Sequence, residues 1–198
     1  MAINFLITLT IIYLLGSIPF GFIFTKFFRK VDIRNIGSGN IGATNVLRTG
    51  NKFLAIIVLM FDILKGYIPT FILINYINLS NDLFAMILGS VAILGHLFPI
   101  WLKFKGGKGV ATYIGFIFAV NYYFGIIFIF SWLSIAFLSR YSSLASIFSL
   151  ITLPLIIIFL GYKPSVFLLF LIISIILIIK HHSNIKRLLD RKETKIKF

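Results

Sequence analysis

The sequence predicts an all-α, polytopic membrane protein. The chain of 198 residues is 60% hydrophobic, with a mean hydropathy of +1.06, more apolar surface than a soluble domain of this size can bury. The apolar residues fall into runs of membrane length separated by short polar connections. The 19 Lys and Arg against 5 Asp and Glu give a net charge of +14, and the cations sit in short clusters between the runs. That pattern fits a membrane rim and excludes a nucleic-acid partner. There are no cysteines, which removes disulfides, thiolate catalysis and zinc–thiolate sites.

The runs span residues 3–25, 53–74, 83–102, 110–138, 144–160 and 165–179. At about 1.5 Å per residue, most can cross about 30 Å of hydrocarbon. The first lacks a basic start and a small-residue cleavage site, and reads as a retained span. The fourth is too long for one span and is interrupted by Asn121-Tyr122-Tyr123. One tilted helix and a hairpin of two short helices both fit it, and the charges decide between them. Lys26, Arg29, Lys30, Arg34, Arg48 and Lys52 follow the first run; Lys103, Lys105 and Lys108 follow the third; Arg140 follows the fourth. Lys180, Lys186, Arg187, Arg191, Lys192, Lys195 and Lys197 fill the tail, and the other connections carry only Lys163. Cytoplasmic loops hold the excess of Lys and Arg, and only the hairpin puts all four clusters on one side. The expectation is one domain over 1–198 with seven transmembrane helices, two of them short, the N-terminus outside and the C-terminus cytoplasmic. The hairpin arms are short enough to be partly re-entrant, with their ends buried against protein or water.

Two polar islands stand out. Residues 37–51 are rich in Gly, Asn and hydroxyls and hold one cation, Arg48. Gly37-x-Gly39-x-x-Gly42 matches a dinucleotide fingerprint, but its neighbours are membrane helices rather than a βαβ unit, and Asp62 lies within one of them. The glycines still let backbone N–H groups turn toward one point and cradle phosphate oxygens. Ser38, Asn40, Thr44 and Asn45 add neutral donors, and Arg48 adds a planar fork suited to phosphate. A plain helix-connecting loop is the competing reading, though such loops rarely carry so many donors without acids.

The second island is Phe104-Lys105-Gly106-Gly107-Lys108-Gly109. It fails the Walker pattern, with Leu102 where the first Gly belongs and Gly109 where Ser or Thr belongs. What remains is a cationic turn opening onto a helix N-terminus, which favours an anion. Charges that merely anchor topology would not need three glycines. His96, just upstream, reads first as a hydrogen-bonded helix contact and second as a catalyst. Asp62 and Lys65, at i and i+3 in a span, read first as a structural pair and second as a proton relay. Arg140-Tyr141-Ser142-Ser143-Leu144-Ala145-Ser146 is a third donor cluster, with Ser146 one turn past Ser142. In the tail, His181 and Asn184 are i, i+3 and share a helix face. The few carboxylates cannot hold a catalytic metal, and no cofactor is expected.

Taken together, these loops resemble the PlsY family, bacterial membrane glycerol-3-phosphate acyltransferases that use acyl phosphate. The stretches GSGNIGATN…R, HxFPxxxxFKGGKGVAT, SLAS and Asn184-Ile185-x-Arg187-Leu188-Leu189 carry the likeness in this order and cover nearly the whole chain. The resemblance implies an enzyme of the bacterial inner membrane with its site on the cytoplasmic face. The 1-hydroxyl of sn-glycerol 3-phosphate would attack the carbonyl of a fatty acyl phosphate, giving lysophosphatidic acid in the membrane and inorganic phosphate. By motif position it implies catalytic roles for Ser38, Arg48, Lys108, Ser146, His181 and Asn184. It implies substrate contacts from Gly39, Asn40, Thr44, Asn45, Lys105, Gly106, Gly107, Arg140, Arg187 and Glu193. No metal is implied, and the partners are the two substrates and membrane lipids. Two departures stand: Arg191 occupies a position where family tails often have Gly, and His182 beside His181 leaves open which histidine faces the site. A phosphate or organophosphate carrier is the alternative class, but carriers often show internal repeats and a midplane polar site, whereas polarity here gathers at one face. A lipid-sensing scaffold would explain the basic rim but not the glycine loops.

The topology gives the first prediction. Single cysteines can be placed cleanly in this cysteine-free chain. Those at positions 50, 106, 141 and 190 are expected to label from the cytoplasmic side, and those at 79 and 163 only from outside. Labelling of 141 or 190 from outside would break the seven-span reading.

Overall fold

The helices break where proline, asparagine and glycine interrupt the apolar runs. The structure, a computed structural model, describes residues 2–77 and 81–196. Leu79 and Lys197 of the expectations above lie outside the described residues. No strand occurs among the described residues. Pro19 divides the first run into α1 (Ala2–Ser17) and α2 (Phe20–Arg29), bent by 40°. A short α3 (Ala43–Leu47) precedes α4 (Lys52–Asn75) and α5 (Asp82–Leu97), which continues as a 3-10 turn at Ile100–Leu102. The run 110–138 is broken at Asn121: α6 is Val110–Val120 and α7 is Tyr122–Ser139. Then follow α8 (Ser142–Phe159), α9 (Pro164–Lys180) and α10 (His182–Leu189), the last two bent by 60°. Among the described residues, four helices are long and apolar enough to cross a membrane, up to six if each bent pair is one span, and α6 is a shorter apolar helix.

Asparagine starts three of these helices. The side chains of Asn51, Asn81 and Asn121 accept hydrogen bonds from Leu54, Leu83 and Tyr123 N–H at 2.9 Å each, satisfying orphan donors that neither lipid nor helix can reach. The polar interruption at Asn121 is therefore a helix start, and its amide also donates to the Tyr162 hydroxyl at 3.1 Å.

The chain divides into two compact units, Met1–Val120 and Asn121–Phe198. In the first, α4 packs against α6, α5, α2 and α3, and α1 packs against α5. Glycines carry these contacts. A Cβ on Gly66 would strike the Thr112 carbonyl, one on Gly115 the Ile63 carbonyl, and one on Gly16 the Ala92 backbone. Close backbone approach through small residues is how apolar helices associate when lipid tails are as greasy as their own side chains. In the second unit, α8 packs against α7 and α9, and α10 closes against both α8 and α9. Large apolar side chains point outward, Phe137 at 76% and Phe159 at 88% exposure among them, a surface that fits lipid rather than water.

Gly115→Ala is expected to destabilise the first unit by about 1–3 kcal/mol, as overpacking of a tight contact does. Gly161→Asn, at an open turn position with φ +78°, is expected to change little, since Asn tolerates the left-handed region. Thermal unfolding of both variants in detergent checks the contrast; equal melting temperatures would contradict it.

Candidate active site

The first loop stands on an apolar floor. Ile33, Ile41 and Val46 are buried with Leu54, Ala55 and Val58 of α4 and with Leu102, which leads into the second loop. Both polar loops of the first unit thus share one hydrophobic anchor. Gly21 lets α2 approach the Ile41 carbonyl, where a Cβ would collide. Asn45, buried at 1% exposure, ties the loop together. Its amide donates to the carbonyls of Ile33, Ile36 and Asn40 at 3.2, 2.8 and 2.9 Å, and its oxygen accepts the Ser38 N–H at 3.0 Å. The side chain is fully committed, so it shapes the cradle. Gly37 and Gly39 have φ of +56° and +70°, a conformation that glycine adopts without strain.

Arg48 lies across Gly37, close enough that a Cβ there would meet its side chain. It is exposed, and no carboxylate pairs with it among the described residues. Ser38, Gly39 and Thr44 are exposed beside it, and Asn40 is half-buried. The nearest acid in sequence, Asp32, is bound by Arg34, whose guanidinium donates at 2.6 and 2.9 Å. That hydrogen bond holds the Asp32 carboxyl down at about 2.

The second loop is built against the end of α5. Gly107 N–H donates to the His96 carbonyl at 3.1 Å. A Cβ on Gly106 would strike that carbonyl and Pro99, and one on Gly107 would strike the His96 imidazole. The glycines are therefore required by close packing on His96. Lys105 is exposed and Lys108 half-buried, one residue before Gly109 (φ +80°) opens α6. His96 is buried at the end of α5.

The second unit gathers a different cluster. Glu193 accepts hydrogen bonds from Ser143 Oγ at 2.9 Å, Asn184 Nδ2 at 2.7 Å and Arg187 Nε at 2.7 Å. Burial pushes its carboxyl up, but the bonds from Arg187, Asn184 and Ser143 outweigh this and hold it below the ordinary glutamate range. The tail reaches this position through a turn ending α10. Arg191 N–H donates to the Leu188 carbonyl at 3.1 Å and Lys192 N–H to the Arg187 carbonyl at 2.7 Å, the Schellman pattern, with Arg191 in the left-handed region at φ +54°. A non-glycine residue pays a cost to hold this left-handed backbone. Ile196 N–H then donates to the Arg140 carbonyl at 2.7 Å, and the Arg140 side chain is exposed.

His181 is buried and His182 exposed. The Leu177 carbonyl lies 2.7 Å from His181 Nδ1. A carbonyl can only accept, so that nitrogen carries the proton and Nε2 presents its lone pair in the neutral ring. His181 stands at the bend as the N-cap of α10, its carbonyl accepts the Asn184 N–H at 2.8 Å in the first turn, and both side chains are buried. Asn184 is buried, and its Oδ1 has no hydrogen-bond partner among the described residues. Ser146 is buried with its hydroxyl engaged: it donates to the Ser142 carbonyl at 2.9 Å and accepts from Trp132 Nε1 at 3.0 Å. Ser143 and Trp132 were not singled out in the sequence. Ser143 lies three residues before Ser146, on the same helix face, and that spacing was the available signal.

Comparison with known proteins places this arrangement. The sequence matches the glycerol-3-phosphate acyltransferase family over residues 6–191, and the chain belongs to that family. It is 49% identical to a glycerol-3-phosphate acyltransferase of Pelagibacter ubique over 185 residues, 93% of this chain and 94% of that one. It is 50% identical to one of Bartonella quintana over 188 residues, 93% and 88% of the two chains. Its fold is similar to that of PlsY, an integral membrane glycerol 3-phosphate acyltransferase solved in its glycerol 3-phosphate form. The TM-score is 0.91 at 39% identity, covering 97% of this chain and 95% of that one. The lysophosphatidic acid form of PlsY matches at a TM-score of 0.87 and 38% identity.

Glu193 gives the site's prediction. A carboxyl held below its usual value contributes stability above its unfolded pKa of about 4.3, and loses it as pH falls through the lower folded value. A spin label on Thr194→Cys is therefore expected to be immobile at neutral pH and to gain mobility only below about pH 4. Glu193→Gln should make it mobile at neutral pH; an immobile label in that variant would show that the carboxylate does not hold the tail.

Proposed function

We propose that the protein transfers a fatty acyl group from acyl phosphate to the 1-hydroxyl of sn-glycerol 3-phosphate, yielding lysophosphatidic acid and inorganic phosphate. This is the first acylation of phospholipid synthesis. The observation that carries the reading is Arg48, an exposed guanidinium lying across a glycine cradle with no carboxylate to neutralise it among the described residues. A site that leaves its cation unpaired is prepared for an anion. The glycerol 3-phosphate and lysophosphatidic acid forms of the similar PlsY structure support the acceptor and the product.

Acyl phosphate is an activated mixed anhydride, so the reaction needs orientation and charge stabilisation more than a covalent nucleophile or a metal. The acceptor hydroxyl oxygen forms a bond to the carbonyl carbon, the bond from that carbon to the phosphate oxygen breaks, and the leaving phosphate takes the hydroxyl proton. In the first unit, Ser38, Gly39, Asn40, Thr44 and Arg48 bind one phosphate, with Asn45 holding their loop. Lys108, with Lys105 and the backbone of Gly106, binds phosphate at the second loop; the substrate contact expected of Gly107 is corrected, because its N–H is donated to the His96 carbonyl. The second unit contributes His181, Asn184 and Ser146 as catalytic groups, and Arg140, Arg187 and Glu193 as substrate contacts or their supports. The chain acts as one catalytic domain over 1–198. It spans the bacterial inner membrane seven times, with the N-terminus outside and the site and C-terminus cytoplasmic; of the two hairpin spans expected to be short, α6 is short and α7, at 18 residues, is of full length.

The purified protein in detergent is expected to release phosphate from acyl phosphate when glycerol 3-phosphate is present, and not to accept acyl-CoA at a comparable rate. Lys108→Ala should raise the glycerol 3-phosphate requirement and depress the rate, since a charge-assisted hydrogen bond is worth about 1.5–3 kcal/mol. Comparable turnover with acyl-CoA would overturn the donor assignment, and wild-type kinetics in a folded Lys108→Ala protein would remove that lysine from the site.

A further inference from the structure

A buried polar triad lies directly behind the second loop and takes no part in the reaction as proposed. Asp62 Oδ1 is 2.8 Å from Lys65 Nζ and 3.6 Å from His96 Nδ1. All three side chains are at most 4% exposed, inside helices that are predominantly apolar. Charged groups in such a segment are costly and mark function more often than packing. Two members of this triad, Lys65 and His96, also reach a break in the secondary structure. Lys65 Nζ donates to the Ile18 carbonyl at 2.8 Å, at the bend where Pro19 divides α1 from α2. His96 offers its carbonyl to Gly107 N–H, and its imidazole Nε2 edge lies where a Gly107 side chain would be. The carboxylate of Asp62 thus stands between a lysine that pins the α1–α2 bend and a histidine that forms the seat of the second loop.

Charge neutrality alone would need only Asp62 and Lys65. The third member is the one that touches the loop. At 3.6 Å its contact with Asp62 is electrostatic rather than a hydrogen bond, enough to orient a ring with few rotamers open to it. Resting on the reading that Lys108 binds substrate phosphate, we propose that Asp62 and His96 are positioning residues: Asp62 fixes the His96 ring, the ring and carbonyl of His96 fix Gly107, and Gly107 sets where the neighbouring Lys108 ammonium stands. A displacement of about 1 Å in such a group can cost up to 100-fold in rate, so a buried strut behind the loop has a kinetic purpose beyond stability.

The test separates this role from packing and from the phosphate reading itself. Asp62→Asn/Lys65→Met removes both charges together and leaves no lone buried ion. His96→Gln removes the ring and leaves both charges; it carries the test if the double variant does not fold. Each is expected to raise the KM for glycerol 3-phosphate roughly tenfold or more and to lower kcat in the same direction as Lys108→Ala. Thr70→Ala, which loosens the α4–α5 contact two turns away, is expected to lower the unfolding temperature with KM unchanged. Independently of activity, a cysteine introduced as Lys108→Cys should react with a soluble maleimide several times faster in these backgrounds than in the parent, because the loop has lost its seat. An unchanged labelling rate overturns the inference, as does an unchanged KM where Lys108→Ala raises it. If Lys108→Ala leaves KM unaltered while the labelling shift persists, the phosphate reading fails and the strut stands.

Discussion

Inside hydrocarbon, a backbone N–H or C=O that leaves its helix must find a partner within the protein. The rest of this structure depends on how that demand is met where helices break. A buried Lys65 ammonium meets the Ile18 carbonyl at the first bend. The Asn45 amide collects three carbonyls of the first loop. The His96 carbonyl takes the Gly107 N–H of the second, and Asn121 caps the helix that begins in mid-run. Each break that creates a polar loop is thus paired with a polar side chain or carbonyl that makes the loop rigid. A phosphate cradle gains from this directly, because rigid donors need no reorganisation when an anion arrives.

Electrostatics follows from how few acids there are. Of the five, Asp32 is bound to Arg34, Asp62 to Lys65 and Glu193 to Arg187. Asp82 lies in the first turn of α5, where the helix dipole favours it, and Asp190 ends α10. Arg48 in the first cradle keeps its full charge. The acids are thus spent locally, and the net charge of +14 comes from cations that outnumber them, a field that favours anions.

Much of this was legible in the sequence because hydropathy and glycine are local signals. The all-helical, apolar character, the break at Asn121, the Asp62–Lys65 pair and both glycine loops follow from composition and spacing, whereas the bend at Pro19 within the first run was not read. The reason for the second loop's glycines was not legible: they are required by His96, about ten residues upstream, and no periodicity reports a contact across a turn. Nor was the division of labour among donors. Asn40, Thr44 and Asn45 look alike in sequence, yet only Asn45 is buried and spent on the loop itself. In the tail, Arg191 obscured a turn that Gly would have announced, and the carboxylate it positions found Ser143, a neighbour passed over for Ser146. Side-chain direction and long-range pairing are set by packing, which the sequence encodes only collectively.

The central claim is that acyl transfer to glycerol 3-phosphate proceeds by attack at the carbonyl carbon of acyl phosphate. Acyl phosphate labelled with heavy oxygen at the bridging position tests it directly. The account predicts one labelled inorganic phosphate for each lysophosphatidic acid formed, since the bond from carbonyl carbon to bridging oxygen breaks. Label retained in the acyl group, or lysophosphatidic acid formed without stoichiometric phosphate, would contradict it.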